Sequence, residues 1–124
     1  MARGFYSVVQ YCPDRFRFEV VNVGFILFQL EPHIIKIKMT NNFEIMKTFF
    51  NYSDSDLINV KFSVDGFEHR VNSSKDEFLT EDDLNGFIAS RANDILPTEL
   101  RLAKITDFDV DFERLFKQIV EREN

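Results

Sequence analysis

Residues 4 to 11, GFYSVVQY, are mostly β-branched or aromatic, and they run into CPD, where Pro13 fixes its own φ and keeps Cys12 out of the helical region. This pattern predicts a strand followed by a turn. Residues 16 to 30, FRFEVVNVGFILFQL, then stay apolar for about twice the usual strand length. Alternation from Phe16 puts Phe16, Phe18 and Val20 on one face and Arg17, Glu19 and Val21 on the other. From Val23 onward both faces are apolar, so the surroundings of the strand change midway, and Asn22 marks the change. Residues 34 to 39, IIKIKM, alternate Ile35, Ile37 and Met39 with Lys36 and Lys38, and LEPH before them reads as a turn. Strands two and three are therefore expected to form a hairpin with its lysines toward solvent.

The middle of the chain supports two readings. Ile58, Val60, Phe62 and Val64 alternate up to Asp65-Gly66, the dipeptide that favours a two-residue hairpin, and Phe67, His69 and Val71 alternate beyond it. Leu57, Val60, Val64, Phe67 and Val71 also form a helical ridge, with Ser53 or Asp54 as N-cap and an interior glycine penalty of only about 1 kcal/mol. Local periodicity leaves the two readings open. After NSSK, a loop, Thr80 is placed to cap a helix starting near 81, with acids in its first turn and Leu84, Phe87 and Ile88 as its buried stripe. ELRLAKI, residues 99 to 105, follows Pro97 and alternates as a strand. DVDFERLFKQIVER closes the chain as an amphipathic helix with Phe112, Leu115, Phe116, Ile119 and Val120 on one face and Asp109 or Asp111 as cap.

A chain of 124 residues is expected to make a single domain, 1–124, whose core, with fifteen Phe and no Trp, is built largely of phenyl rings. One cysteine excludes an internal disulfide, and two histidines are too few for zinc sites of the usual density, so neither metal nor cofactor is expected. The N-terminal segment is too short and too polar for a signal peptide, and Val23 to Phe28, the longest apolar run, is too short for a membrane helix. A cytoplasmic location without membrane contact is the expectation. The net charge is −6, with five Lys/Arg against three Asp/Glu in residues 1 to 39 (+2) and ten against eighteen beyond (−8). Without a basic cluster to displace counterions, the chain is a poor candidate for nucleic acid, and −6 is modest for a mimic of it.

Candidate chemistry is sparse. Cys12 with His33 or His69 would need proximity to make a thiolate nucleophile, and the reading favoured here is a small side chain packed before Pro13. Asp107, Asp109, Asp111 and Glu113 open like a calcium loop, but its sixth and twelfth positions are Phe112 and Gln118 rather than Gly and an acid. An acidic cap on the last helix accounts for them. Asp76, Glu77, Glu81, Asp82 and Asp83 are read as a solvated helix start. No glycine-rich phosphate loop or nucleophile elbow occurs, and the glycosylation matches at Asn51 and Asn72 imply a secretory route that nothing else in the chain supports.

YSVVQYCPDRFRFEVVNVGFILF, residues 6 to 28, resembles the N-terminal signature of a bacterial family catalogued as domain of unknown function 3037. The match runs through Tyr6, Tyr11, Pro13, Asp14, Glu19, Asn22 and Gly24, and FERLFKQIVE is similar to the family's closing helix, whereas the acidic stretch at 76 to 83 departs from it. The resemblance implies a helix for about 54 to 72. The fold expected is then a small α+β domain: an antiparallel sheet of three N-terminal strands plus the strand at 99 to 105, with helices covering one face and an amphipathic helix at the end. It also implies a companion of HipA-like serine kinases, and hence a non-catalytic module that binds and restrains such a kinase, for which an acidic exterior is suited. The alternative is a small enzyme or ligand binder with a polar pocket at the end of the second strand. In either case Arg15, Arg17, Glu19 and Asn22 are the candidate contact residues. Glu19 is expected to pair with Arg15 or Arg17, Asn22 to satisfy with its side chain, at a bulge, the backbone left unpaired by the preceding CPDR turn, and Gly24 to let another backbone or a helix approach closely.

Overall fold

The computed structural model describes residues 2–14, 16–17, 19–89 and 94–121. Strand β1 (Ala2–Asp14) lies at the centre of an antiparallel sheet. On one side it pairs β2 (Glu19–Leu30), which pairs β3 (His33–Met39). On the other side, β4 (Ile95–Pro97) pairs Val9 to Tyr11 and β5 (Arg101–Ile105) pairs Ala2 to Tyr6. Between these two short strands the chain detours, and Thr98 fills the gap in the ladder. Its hydroxyl accepts from the Val8 N–H at 2.9 Å, and its carbonyl accepts from the buried Ser7 hydroxyl at 2.7 Å. The α+β architecture agrees with the sequence reading, with β4 as an additional strand.

Helices α1 (Glu44–Phe49), α2 (Asp54–Ser73) and α3 (Glu81–Ala89) cover one face, and α4 (Phe108–Phe116) covers the other. This corrects the expectation of helices on one face only, and it explains the doubly apolar half of β2. Val23, Ile26 and Phe28 join the core beneath α2, whereas Phe25 and Leu27 pack with Phe112 and Phe116 of α4. The lysines of β3 also lie on the α4 side rather than in open solvent. Lys36 Nζ sits 4.8 Å from the Phe112 ring centroid and Lys38 Nζ 4.7 Å from that of Phe116, while Glu113 pairs with both lysines at 3.9 and 3.1 Å. Their ammonium groups lie over the phenyl rings and within reach of the helix's carboxylates.

The ambiguous middle is helix α2. Val60, Val64, Phe67 and Val71 are buried as a 3.6-period ridge, while Ile58 and Phe62, which a hairpin would have buried with Val60 and Val64, are exposed. Ser53 closes a capping box, its Oγ accepting from the Asp56 N–H and its own N–H donating to Asp56 Oδ2 at 2.9 Å. Thr80 and Asp83 repeat the device at α3. At α4 the cap is Asp107, which accepts from the Val110 N–H at 3.1 Å, rather than Asp109 or Asp111. Asp109 reaches Lys36 instead, and Asp111 accepts from the Thr106 and Asp107 N–H groups. The chain continues past α4 as a π-helical turn, Lys117–Glu121. Among the described residues no helix is long and apolar enough to cross a membrane.

Candidate functional site

The β1–β2 junction places most of the residues singled out from the sequence. β1 continues through Pro13 to pair Asp14 with Glu19, so the turn comes after CPD rather than at it. Phe16 belongs to that turn and not to the strand: its N–H donates to Asp14 Oδ1 at 3.0 Å, and its ring is 95% exposed. Arg17 Nε lies 3.5 Å from Glu19 Oε1, one of the two pairings expected for that carboxylate. Arg15, the other expected partner, lies outside the described residues, as does Phe18.

Asn22 does mark a bulge. Val9 pairs with Gly24 and Gln10 with Asn22, so Val23 is the extra residue, and its carbonyl accepts from the Thr40 N–H at 2.6 Å. The Asn22 amide is engaged at both ends. Its Oδ1 accepts from Gln10 Nε2 at 3.1 Å, and its Nδ2 donates to the Ile119 carbonyl at 3.2 Å. The carbonyl it satisfies therefore belongs to the π-helical turn after α4 and not to the CPDR turn. Gly24 admits the Met39 side chain, and a Cβ there would also lie 3.2 Å from the Lys38 carbonyl oxygen.

Beside this bulge opens a groove of about 400 Å³ between the start of β2, helix α1 and the π-helical turn. Val20, Ile45, Met46, Phe49 and Val120 give it apolar lining, and Asn22, Thr40, Asn42 and Glu121 add polar groups to its wall. Helix α1 was not anticipated, although Phe43, Met46 and Phe50 stand at spacings of three and four, and all three pack on the main core. A second, polar pocket of about 190 Å³ lies where Tyr11 meets α2, lined by Tyr52, Asp56, Asn59, Ser63 and Asp94. The Tyr11 and Tyr52 hydroxyls are 2.9 Å apart. Burial first, and then this hydrogen bond, hold the Tyr11 phenol well above its ordinary pKa.

The remaining candidates are dispersed. Cys12 is buried; His33 Nε2 is 2.6 Å from the Phe78 carbonyl, and His69 Nε2 is 3.4 Å from Ser73 Oγ, so neither imidazole's bonded partner is the thiol. Among the described residues no group of three or more His, Cys, Asp or Glu is placed to hold a metal ion.

No curated protein and no solved structure matches the chain. A family model described as protein of unknown function DUF3037 matches residues 6–120, a span that includes the bulge, the closing helix and every lining residue of the groove except Glu121. The chain belongs to the DUF3037 family.

Proposed function

We propose that the protein is a non-catalytic docking module whose groove receives a partner protein, a HipA-like serine kinase being the partner that the resemblance implies. The observation that carries this reading is the exposure of large apolar side chains around one groove. Val20, Ile45 and Phe49 line it at 40%, 57% and 50% exposure, and the turn bearing Phe16 leads into its first lining residue. Apolar surface gathered around a groove is what a protein interface covers. Arg17 and Glu19, with Arg15 next to them in sequence, supply charge at the same turn, where rim charges set orientation and encounter rate rather than affinity. The acidic remainder of the molecule suits a basic surface on the kinase. A polar ligand site is less well supported, because both ends of the Asn22 amide are already bonded within the fold.

The test is capture of an untagged HipA-like kinase from the native host by the protein and by its Ile45→Asp/Phe49→Asp variant. Both side chains are half exposed, so the variant is expected to keep its circular dichroism spectrum and lose the kinase. Recovery of no kinase by the unaltered protein would sink the proposal. A melting temperature that instead rises with the concentration of a small ligand, and does so only without the Ile45→Asp/Phe49→Asp change, would favour the ligand-binder alternative at this groove.

A further inference from the structure

The polar pocket beside Tyr11 shares no lining residue with the docking groove and is built for charge of one sign. Asp56, Asn59 and Ser63 stand at spacings of three and four along α2 and so present their side chains on one face of the helix. Asp94 faces them from the segment before β4, and its backbone carbonyl is tied to β1 by the Cys12 N–H at 2.8 Å. Asp56 Oδ2 is occupied by the Ser53 N–H and hydroxyl, at 2.9 and 3.0 Å, which holds the carboxylate in place. Among the described residues neither Asp56 nor Asp94 is in an ion pair. Both carboxylates act on the Tyr11 phenol, adding to burial and the Tyr52 hydrogen bond in raising its pKa, so their field reaches the tyrosine side of the pocket.

The other wall is aromatic. Tyr11 and Tyr52 meet edge to face with centroids 6.4 Å apart, and Phe50 packs against both at 5.7 and 5.3 Å. Two carboxylates beside aromatic rings attract an organic cation and repel an anion. The space, about 190 Å³, corresponds to about six waters of liquid volume, room for an ammonium group on a short alkyl chain. An ammonium carries three donors, and the carboxylates, phenol oxygens, Asn59 carbonyl and Ser63 hydroxyl are acceptors within one pocket.

We propose that the pocket formed by Tyr11, Tyr52, Asp56, Asn59, Ser63 and Asp94 binds a primary ammonium group, carried by a free short-chain amine or by a lysine side chain of another protein. The experiment is an NMR titration of the full chain, following the Tyr11 and Tyr52 ring resonances, with n-butylammonium, with n-butanol as the neutral shape match, and with the blocked peptide acetyl-Gly-Lys-Gly-amide, whose one ammonium is the lysine's. Saturable shifts with n-butylammonium and binding about tenfold weaker or worse for n-butanol are expected. Asp94→Asn and Asp56→Asn should each weaken n-butylammonium by about tenfold, the second keeping an oxygen for the Ser53 donors. If Asp56→Asn loosens the helix, Asp94→Asn and the n-butanol comparison decide. Tighter binding of the peptide than of n-butylammonium assigns the site to a lysine, and weaker binding assigns it to a free amine. Absence of saturation up to about 50 mM n-butylammonium, equal binding of n-butanol, or unchanged affinity in Asp94→Asn would overturn the proposal.

Discussion

Gly4 sits in β1 where an added Cβ would collide with the backbone carbonyl of Phe28 on the paired strand and with the Ile105 side chain. A carbonyl locked in a sheet cannot withdraw, so Gly4→Ala is expected to cost about 1–3 kcal/mol in denaturant unfolding. Gly24→Ala should cost less, because there the closest obstacle is the flexible Met39 side chain. A second prediction concerns Asp111, whose carboxyl is held below the ordinary aspartate range, chiefly by the Thr106 N–H at 2.9 Å. A depressed folded-state pKa contributes stability above the unfolded pKa and loses it as pH falls through the folded value. Asp111→Asn should therefore flatten the acid limb of a melting-temperature profile taken between about pH 2 and 7, and an unchanged limb would assign the acid sensitivity elsewhere. At this scale the sequence was legible where partners are near in chain. Ser53 and Thr80 are readable as caps because each bonds a residue three positions on. The roles of Asp107, Asp109 and Asp111 were not separable, since one caps, one reaches Lys36 on another element and one gathers backbone N–H groups.

Helix α2 shows how an element is chosen over its rival. The Asp65-Gly66 pair that favours a hairpin is exposed on the helix surface, and a Cβ at Gly66 would meet nothing within 4 Å. Nothing in the fold requires a glycine there, so Gly66→Ala is expected to stabilise the protein by about 0.5–1 kcal/mol, seen as a higher denaturation midpoint at unchanged slope. Destabilisation would mean that the segment does not remain helical. For α4 the informative pair is Phe116 and Leu115. Phe116 is buried against Phe25 and Leu27, so Phe116→Ala should cost about 3–5 kcal/mol, whereas partly buried Leu115 should cost less on truncation to Ala. Equal losses would place Leu115 in the core as well. The amphipathic stripe of α4 was plain in the sequence, but which sheet face it covers was not, because a stripe specifies that a helix buries one side and says nothing of what lies beneath.

Across the whole molecule, the Asn22 amide joins β1 to the far end of the chain: residue 22 holds Gln10 on one side and the carbonyl of residue 119 on the other. Asn22→Ala strips partners from both and is expected to cost about 1–3 kcal/mol, while Glu19→Ala, which removes only an exposed pairing with Arg17, should change stability by less than about 1 kcal/mol. Measuring kinase capture for the same two variants separates the roles. Lost capture at unchanged stability in Glu19→Ala would make that turn part of the docking surface, and unfolding in Asn22→Ala with no effect of Glu19→Ala would make the motif architectural. The sequence by itself determined the three opening strands, the cap-started helices, the closing stripe and a discontinuity at Asn22, because alternation, capping and turn chemistry act over a few residues and leave their mark locally. Only the tertiary structure decided that both faces of the sheet are covered, that Lys36 and Lys38 cap phenyl rings, and that Asn22 bonds residue 119. It also decided that Tyr11, Asp56 and Asp94 share a pocket. Those are encounters between segments tens of residues apart, and no periodicity within one segment encodes which other segment will fold against it.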